Sequence, residues 1–336
     1  MQSLIQKLVE TTSPSGYEAA IREVIRAEVE PLADEVRVDA LGSLIAVKGR
    51  LQEGGCKIML AAHMDEIGVI ATHIDENGFI RFTTLGGVRR HALTGGRVRF
   101  LNGTLGVIYY EKLEDPNRLP TFEQMYIDVG ARSREDCPVR VGEVASFERP
   151  FNQLGSRLIA KSLDDRIGVA VLIETLRTLA ERGDTGPNQI FFVFSVQEEV
   201  GVRGATAAAF GIDPDLGLAV DVTTTGDTPK SARMEVSLGK GPAIKVRDSG
   251  MLADPRVVDW MARTAEKAGL PYQMEILDGG STDARAIQLT RAGVPAGCLS
   301  IPCRYVHTPS EMVDMDDVLS AVRLMVELVG GPVRLG

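Results

Sequence analysis

Apolar residues at helical spacing open the chain. Leu4, Ile5, Leu8 and Val9, then Ile21, Val24, Ile25, Val29 and Leu32, predict amphipathic helices over 4–9 and 17–32. Ser13-Pro14-Ser15-Gly16 breaks them apart. Residues 36–47 read as two short strands around a turn at 40–43. Ile58-Met59-Leu60-Ala61-Ala62 is a continuous apolar run, the mark of a buried strand, and it leads directly into His63-Met64-Asp65-Glu66.

From residue 68 the texture changes to short alternating segments, with hairpin signals at Asn77-Gly78 and Asn102-Gly103. Candidate strands are 69–74, 79–84, 97–101, 105–109, 124–129 and 143–147. No long helical pattern falls among them, so 68–159 is expected to be a small β domain, a barrel or sandwich, inserted into a larger one. Helices and strands alternate afterwards. Helices are predicted at 164–182, 203–210, 255–268, 282–292 and 315–329, and strands at 189–196, 216–220, 243–246, 273–277 and 296–301. That alternation predicts a three-layer α/β fold built from 1–67 and 160–336.

Composition narrows the function classes. With 336 residues, 44% of them apolar, the chain can bury a sizeable core. The formal charge of −9 and the lack of a basic stripe argue against a nucleic-acid partner. No apolar run reaches membrane-spanning length. The first eight residues read as an amphipathic helix, not a signal peptide. Cys56, Cys137, Cys298 and Cys303 have neither zinc-knuckle spacing nor the look of a disulfide framework, so a reducing cytoplasm is expected.

The chemistry gathers where apolar strands stop. His63 and Asp65 follow the strand ending at Ala62. Glu198 and Glu199 follow the one ending at Val196. Asp221 ends another, His307 follows 296–301 by a short loop, and Asp164 opens a helix beside Asp165. Singly, each has an ordinary explanation: two aspartates at a helix N-terminus, capped by Ser162, are favoured by the dipole alone. Together they matter, because the carboxyl ends of parallel strands converge on one crevice. Asp221 is the hardest to explain otherwise, since a charge in an apolar strand must be paired or coordinated. Two imidazoles and three or four carboxylates, with no thiolate, suit zinc, cobalt or manganese. Five ligands exceed what one catalytic zinc takes and suit two metals sharing a carboxylate, with one acid left as a base. His73 and His91 lie in the β insertion and are assigned no role.

Ala62-His63-Met64-Asp65-Glu66-Ile67-Gly68, Ser162-Leu163-Asp164-Asp165-Arg166-Ile167-Gly168, Val196-Gln197-Glu198-Glu199-Val200-Gly201, Val220-Asp221-Val222-Thr223, Gly279-Gly280-Ser281-Thr282-Asp283-Ala284 and Arg304-Tyr305-Val306-His307-Thr308 span nearly the whole chain. In these motifs the chain resembles the dinuclear metalloaminopeptidases that assemble into hollow tetrahedral particles. These comprise glutamyl, leucyl and lysyl aminopeptidases, some of them historically labelled endoglucanases. The resemblance implies a zinc-peptidase-like α/β domain carrying two divalent ions. Asp164 would bridge them, His63 and Asp221 would hold one, and Glu199 and His307 the other. Glu198 would be the general base for a metal-bound hydroxide, and Asp65 would orient His63. The β insertion would be a dimerisation domain, building a homododecamer that admits short or unfolded peptides. Its position supports the match: 101 positions separate His63 from Asp164 and only 86 separate Asp221 from His307, whereas carboxypeptidase- and deacylase-like relatives carry their extra domain in the second gap. Ser281 and Thr308 stand where the family often has glycine and serine. Both are expected to be tolerated, with Ser281 bearing on substrate fit. The expected activity is removal of N-terminal residues from short peptides. The alternatives are a deblocking or acyl-amine hydrolase on the same site, a glycoside hydrolase, which would need two opposed carboxylates and no metal pair, and a non-catalytic metal protein, which would not need Glu198.

Overall fold

The computed structural model describes residues 1–183 and 186–335. Strands β1 (Glu35–Val38), β2 (Leu44–Lys48) and β3 (Lys57–His63) precede a run of six: β4 (Gly68–Ile74), β5 (Ile80–Leu85), β6 (Arg97–Phe100), β7 (Leu105–Tyr110), β8 (Met125–Asp128) and β9 (Val144–Phe147). Then come β10 (Asn152–Leu154), β11 (Arg157–Ala160), β12 (Gln189–Ser195), β13 (Leu216–Thr223), β14 (Ala243–Arg247), β15 (Gln273–Ile276), β16 (Ala296–Arg304) and β17 (Glu311–Asp314). The helices are α1 (Gln2–Glu10), α2 (Ala19–Val29), α3 (Leu163–Arg182), α4 (Arg203–Ile212), α5 (Pro255–Ala268), α6 (Asp283–Gln288) and α7 (Met315–Val329). None of the described helices is long and apolar enough to cross a membrane.

Strands β4 to β9 close into an antiparallel barrel around its own core, with Val69, Ile80, Val98, Ile108 and Ile127 fully buried. The remaining strands form one large sheet. Its centre runs β2-β12-β3-β13-β16, and β12, β3, β13 and β16 are mutually parallel, as the apolar runs require. β3, β12 and β13 are buried on both faces, with α3 packed against β3 and β13.

Three readings of the sequence need correction. The β insertion does not extend to residue 159: β10 and β11 form a hairpin that pairs through β17 with the large sheet, leaving the barrel with 68–147. Strand β17 is absent from the pattern because it is four residues long and carries two buried acids, Glu311 and Asp314. Helix α6 stops at Gln288 rather than 292, because the Val294 N–H returns to the Gln288 carbonyl and Arg291 has positive φ.

A buried ionic knot joins the two ends of this arrangement beneath the crevice. Lys161 Nζ lies 2.6 Å from Glu66 Oε2, and the fully buried Arg166 lies 3.8 Å from Glu66 Oε1. Arg166 also donates to the carbonyls of Leu8 (2.7 Å) and Thr11 (3.2 Å). Buried charges are tolerated only when paired and hydrogen-bonded in this way. The knot pins α1 and the Ser13–Gly16 turn against the start of α3, and Ser15 emerges beside the functional groups.

Candidate metal centre

The parallel strands deliver their polar residues to one edge. His63 closes β3 beside Ser195 of β12, and Asp221 stands near the end of β13. Glu198 and Glu199 lie on the turn after β12, and His307 on the loop after β16. Asp164 arrives from the first turn of α3. That turn is irregular: Asp164 and Asp165 have non-helical angles, and the peptide between them is cis. Ser162 is not the expected cap; its backbone is left-handed and its hydroxyl donates to the Val9 carbonyl.

Asp164 stands between the two imidazoles. Its Oδ1 is 3.0 Å from His63 Nε2 and its Oδ2 is 3.2 Å from His307 Nε2. His307 Nε2 is also 3.3 Å from Glu199 Oε2. Ligand atoms of His63, Asp164 and Glu199 fall within 4.8 Å of one another, and so do those of His63, Asp165 and Asp221. Asp65 is fully buried behind them. It accepts the Ser15 hydroxyl at 2.6 Å and the backbone N–H of Glu198 at 2.9 Å, and its Oδ1 lies 3.4 Å from His63 Nδ1. The Asp65 backbone carbonyl lies 3.2 Å from the same Nδ1, so one residue, through main chain and carboxylate, fixes both His63 and the turn bearing Glu198.

The electrostatics call for added positive charge. Burial pushes Asp221 up to about 8, with Asp164 and Asp283 adding to the rise against the pull of His63. Burial likewise drives Glu198 and Glu199 well above the usual carboxylate range, in each case against the pull of His63 and with the support of neighbouring acids. Asp164 goes the other way: burial opposes ionisation, but hydrogen bonds from His307 and His63 hold it low. Glu199 Oε1 is buried with no donor among the described residues. Buried acids in this number, with oxygen and nitrogen donors and an orphaned carboxylate oxygen, fit divalent cations.

A cavity of about 600 Å³ opens over the cluster, with Gly87 and Arg89 from the barrel on one wall and Ser281 and Arg285 on another. The barrel loop approaches closely: a methyl at Gly86, where φ is +80°, would lie 2.8 Å from Glu199 Oε2.

Residues 42–324 match the M42 glutamyl aminopeptidase family. The chain belongs to that family. It is a metal-dependent aminopeptidase, a peptide hydrolase. It is 48% identical, over 98% of both lengths, to an Acetivibrio thermocellus protein provisionally named an aminopeptidase. To the lysyl aminopeptidase of Pyrococcus furiosus it is 35% identical, over 97% of this chain and 96% of that one. It also matches the solved TET1 peptidase of Pyrococcus horikoshii, which can assemble into a tetrahedron or a large octahedral shell. There the TM-score is 0.87, with 33% identity over 98% of each chain.

In this M42 aminopeptidase all seven residues singled out from the sequence gather at the one cavity or directly behind it. His73 and His91 lie on the barrel; the His73 ring contacts Arg134. Four supporting residues were given no role by the sequence reading, two of them (Asp165 and Asp283) although they stand in its motifs. Glu311 accepts the backbone N–H groups of Asp164 and His307, each at 2.9 Å. Asp165, noted only as a neighbour of Asp164, accepts those of His63 (3.3 Å) and Gly168 (3.0 Å). Glu18 accepts those of Gly16 and Gln197. Asp283 takes the Ser195 hydroxyl, and burial pushes it up to about 6. An acid directly after a Gly-rich stretch was the available signal for Asp283.

Proposed function

We propose that this M42 aminopeptidase removes N-terminal residues from short peptides at a two-metal centre. His63 and Asp221 would hold one ion, Glu199 and His307 the other, and Asp164 would be shared. Zinc or cobalt suits the donors best, and manganese is compatible. The observation that carries the reading is Asp164 with one oxygen at each imidazole, while Glu198 keeps a separate carboxylate on the cavity wall.

Bound ions would polarise the scissile carbonyl and make water acidic enough to act as a nucleophile. The protein's own groups do the rest. Glu198 takes the proton from the attacking water and returns it to the leaving amine. Its position is set through its backbone N–H, which Asp65 accepts. Asp65 also keeps His63 Nδ1 facing away from the cavity, so that Nε2 faces Asp164.

The barrel is the proposed self-association element, inserted into a catalytic unit made of the rest of the chain. The outward positions of β7 leave Leu105, Val107 and Tyr109 exposed in a row, an apolar stripe that association would cover. A dodecamer, the form a second solved TET1 structure takes, is the expected assembly, and free thiols at all four cysteines suit a reducing cytoplasm.

The test is hydrolysis of a panel of aminoacyl-p-nitroanilides before chelation, after it, and after cobalt or zinc is added back. Metal-dependent release from unblocked substrates only is the expected result. Release from N-blocked substrates instead would replace the reading with a deblocking or acyl-amine hydrolase.

A further inference from the structure

A second depression opens beside the metal centre. Helices α4 and α6 pack against each other, and both start at the cavity: Val202 is the N-cap of α4, and Arg285 lies in the first turn of α6. Between them runs a groove of about 740 Å³. Gly201, Val202 and Arg285 line the cavity and the groove alike, so the two are continuous. Gly201 has no side chain to divide them, and a methyl group placed on it would meet open space.

The groove is mainly apolar where the cavity is charged. Phe210 near the end of α4 and Leu289 at the end of α6 line it, and they are 57% and 71% exposed. Ala207 and Ala286 line it nearer the cavity, and no acid does. The Phe210 ring is held in place. The Arg291 guanidinium stacks 3.5 Å from its centroid, and Arg291 Nε and Nη2 donate to the Phe210 carbonyl at 3.0 and 2.6 Å. A fixed ring and an exposed leucine on one groove leave water only when something lies between them.

Glu198 fixes which part of a substrate reaches this groove. In the proposed reaction its carboxylate returns a proton to the leaving amine, so that amine lies within hydrogen-bond reach of Glu198. The Glu198 carbonyl accepts the N–H groups of Gly201 and Val202, each at 2.9 Å, so the base and the groove entrance belong to one tight turn. We infer that the groove binds the departing part of the peptide, seating an apolar side chain from beyond the first leaving residue between Phe210 and Leu289. Arg285 and Arg291 also line it, which makes a basic side chain the poorest occupant. The inference rests on the aminopeptidase reading and adds a selectivity on the far side of the bond that is cut.

The test compares kcat/KM for two amidated series, Zaa-Ala-Xaa-Gly-amide and Zaa-Ala-Gly-Xaa-amide. Zaa is the first residue favoured by the p-nitroanilide panel, and Xaa is glycine, phenylalanine or lysine. Phenylalanine should exceed glycine about tenfold in one series, mainly through KM, and lysine should not. Leu289→Asp should bring that ratio to about one, and Ala207→Trp, which fills the groove, should do the same. Each ratio is taken within one protein, so a general loss of fold or metal cancels, and either variant alone suffices. Equal rates for phenylalanine and glycine in both series, or a ratio that survives both substitutions, would overturn the inference. So would dissociation of the assembly by Leu289→Asp, seen by light scattering, with the ratio unchanged: the groove would then be a contact between copies of the chain. Failure of the whole p-nitroanilide panel would sink the aminopeptidase reading and the inference with it, whereas a working panel without downstream selectivity sinks the inference alone.

Discussion

Glu311 accepts the backbone N–H of Asp164 at 2.9 Å, from a strand that sequence pattern did not reveal. Its other oxygen accepts the N–H of His307, also at 2.9 Å. One buried carboxylate therefore fixes the main chain at two proposed ligands without being one of them. Glu311→Ala should leave every ligand in place yet lower metal affinity about 10–100-fold, the usual effect of losing an outer support. Competition with a chromogenic chelator measures it; unchanged affinity would show that the backbone holds its geometry without Glu311.

Glu198→Gln keeps the size of the side chain and removes its basicity. Both metals should remain, and turnover should drop about 10²–10⁴-fold, the range for a general base. Elemental analysis and peptide hydrolysis on the same sample check the two halves. Near-normal turnover would move the base to another group.

Asp164→Asn should act on the opposite quantity. The amide cannot offer two anionic oxygens to two ions, so metal content should fall before any effect on proton transfer is felt. Retention of two ions per chain would remove Asp164 from the bridging role.

The metal-free protein should be unusually sensitive to alkaline pH. Asp221 has a folded pKa of about 8 against an ordinary value of 3.8, and Glu198 and Glu199 are raised as well. Between those values the folded chain holds protons that the unfolded chain releases, so stability falls as pH rises through the window. Asp164 and Asp65 are shifted downward and act only in acid, below the usual carboxylate range. In chelator, the melting temperature should therefore drop between pH 5 and pH 8.5. Added zinc should flatten or reverse the trend, because metal binds the deprotonated acids. The same slope with and without metal would mean that these acids are not the ligands.

The layout of the site was readable because it is written as interruptions. His63 and Asp221 break fully apolar strands, and Glu198 and Glu199 end one, so position along the chain already assigned them to a common edge. The six barrel strands were readable from alternation and Asn-Gly turns. What escaped was whatever acts through backbone. Glu311, Asp165 and Glu18 hold main-chain N–H groups across long sequence separations, and no periodicity records an acceptor of that kind. The β10–β11 hairpin escaped for a related reason: its affiliation is set by pairing with β17, more than 150 residues away in sequence, not by its own three- and four-residue strands.

The barrel loop also bears on His307, through Gly87. A methyl group there would lie 2.6 Å from His307 Nδ1 and 2.8 Å from its Cε1, inside contact distance, so either the loop or the ring must move. The ring has little freedom: its Nε2 is within 3.3 Å of both Asp164 and Glu199, and the His307 backbone is held by Glu311 at positive φ. Arg89 ties the loop to the Val306 carbonyl, which limits retreat on the other side. Gly87→Ala should therefore displace His307 and, if the proposed two-metal centre holds, lower occupancy of the position assigned to His307 and Glu199, from two ions per chain toward one. The ion at His63 and Asp221 should stay, and barrel-mediated association should be unaffected, since the substitution faces the cavity. Metal content with light scattering on the same variant separates these effects. Two ions and full activity would mean that the loop yields without disturbing His307, and that the barrel contributes a wall but no constraint.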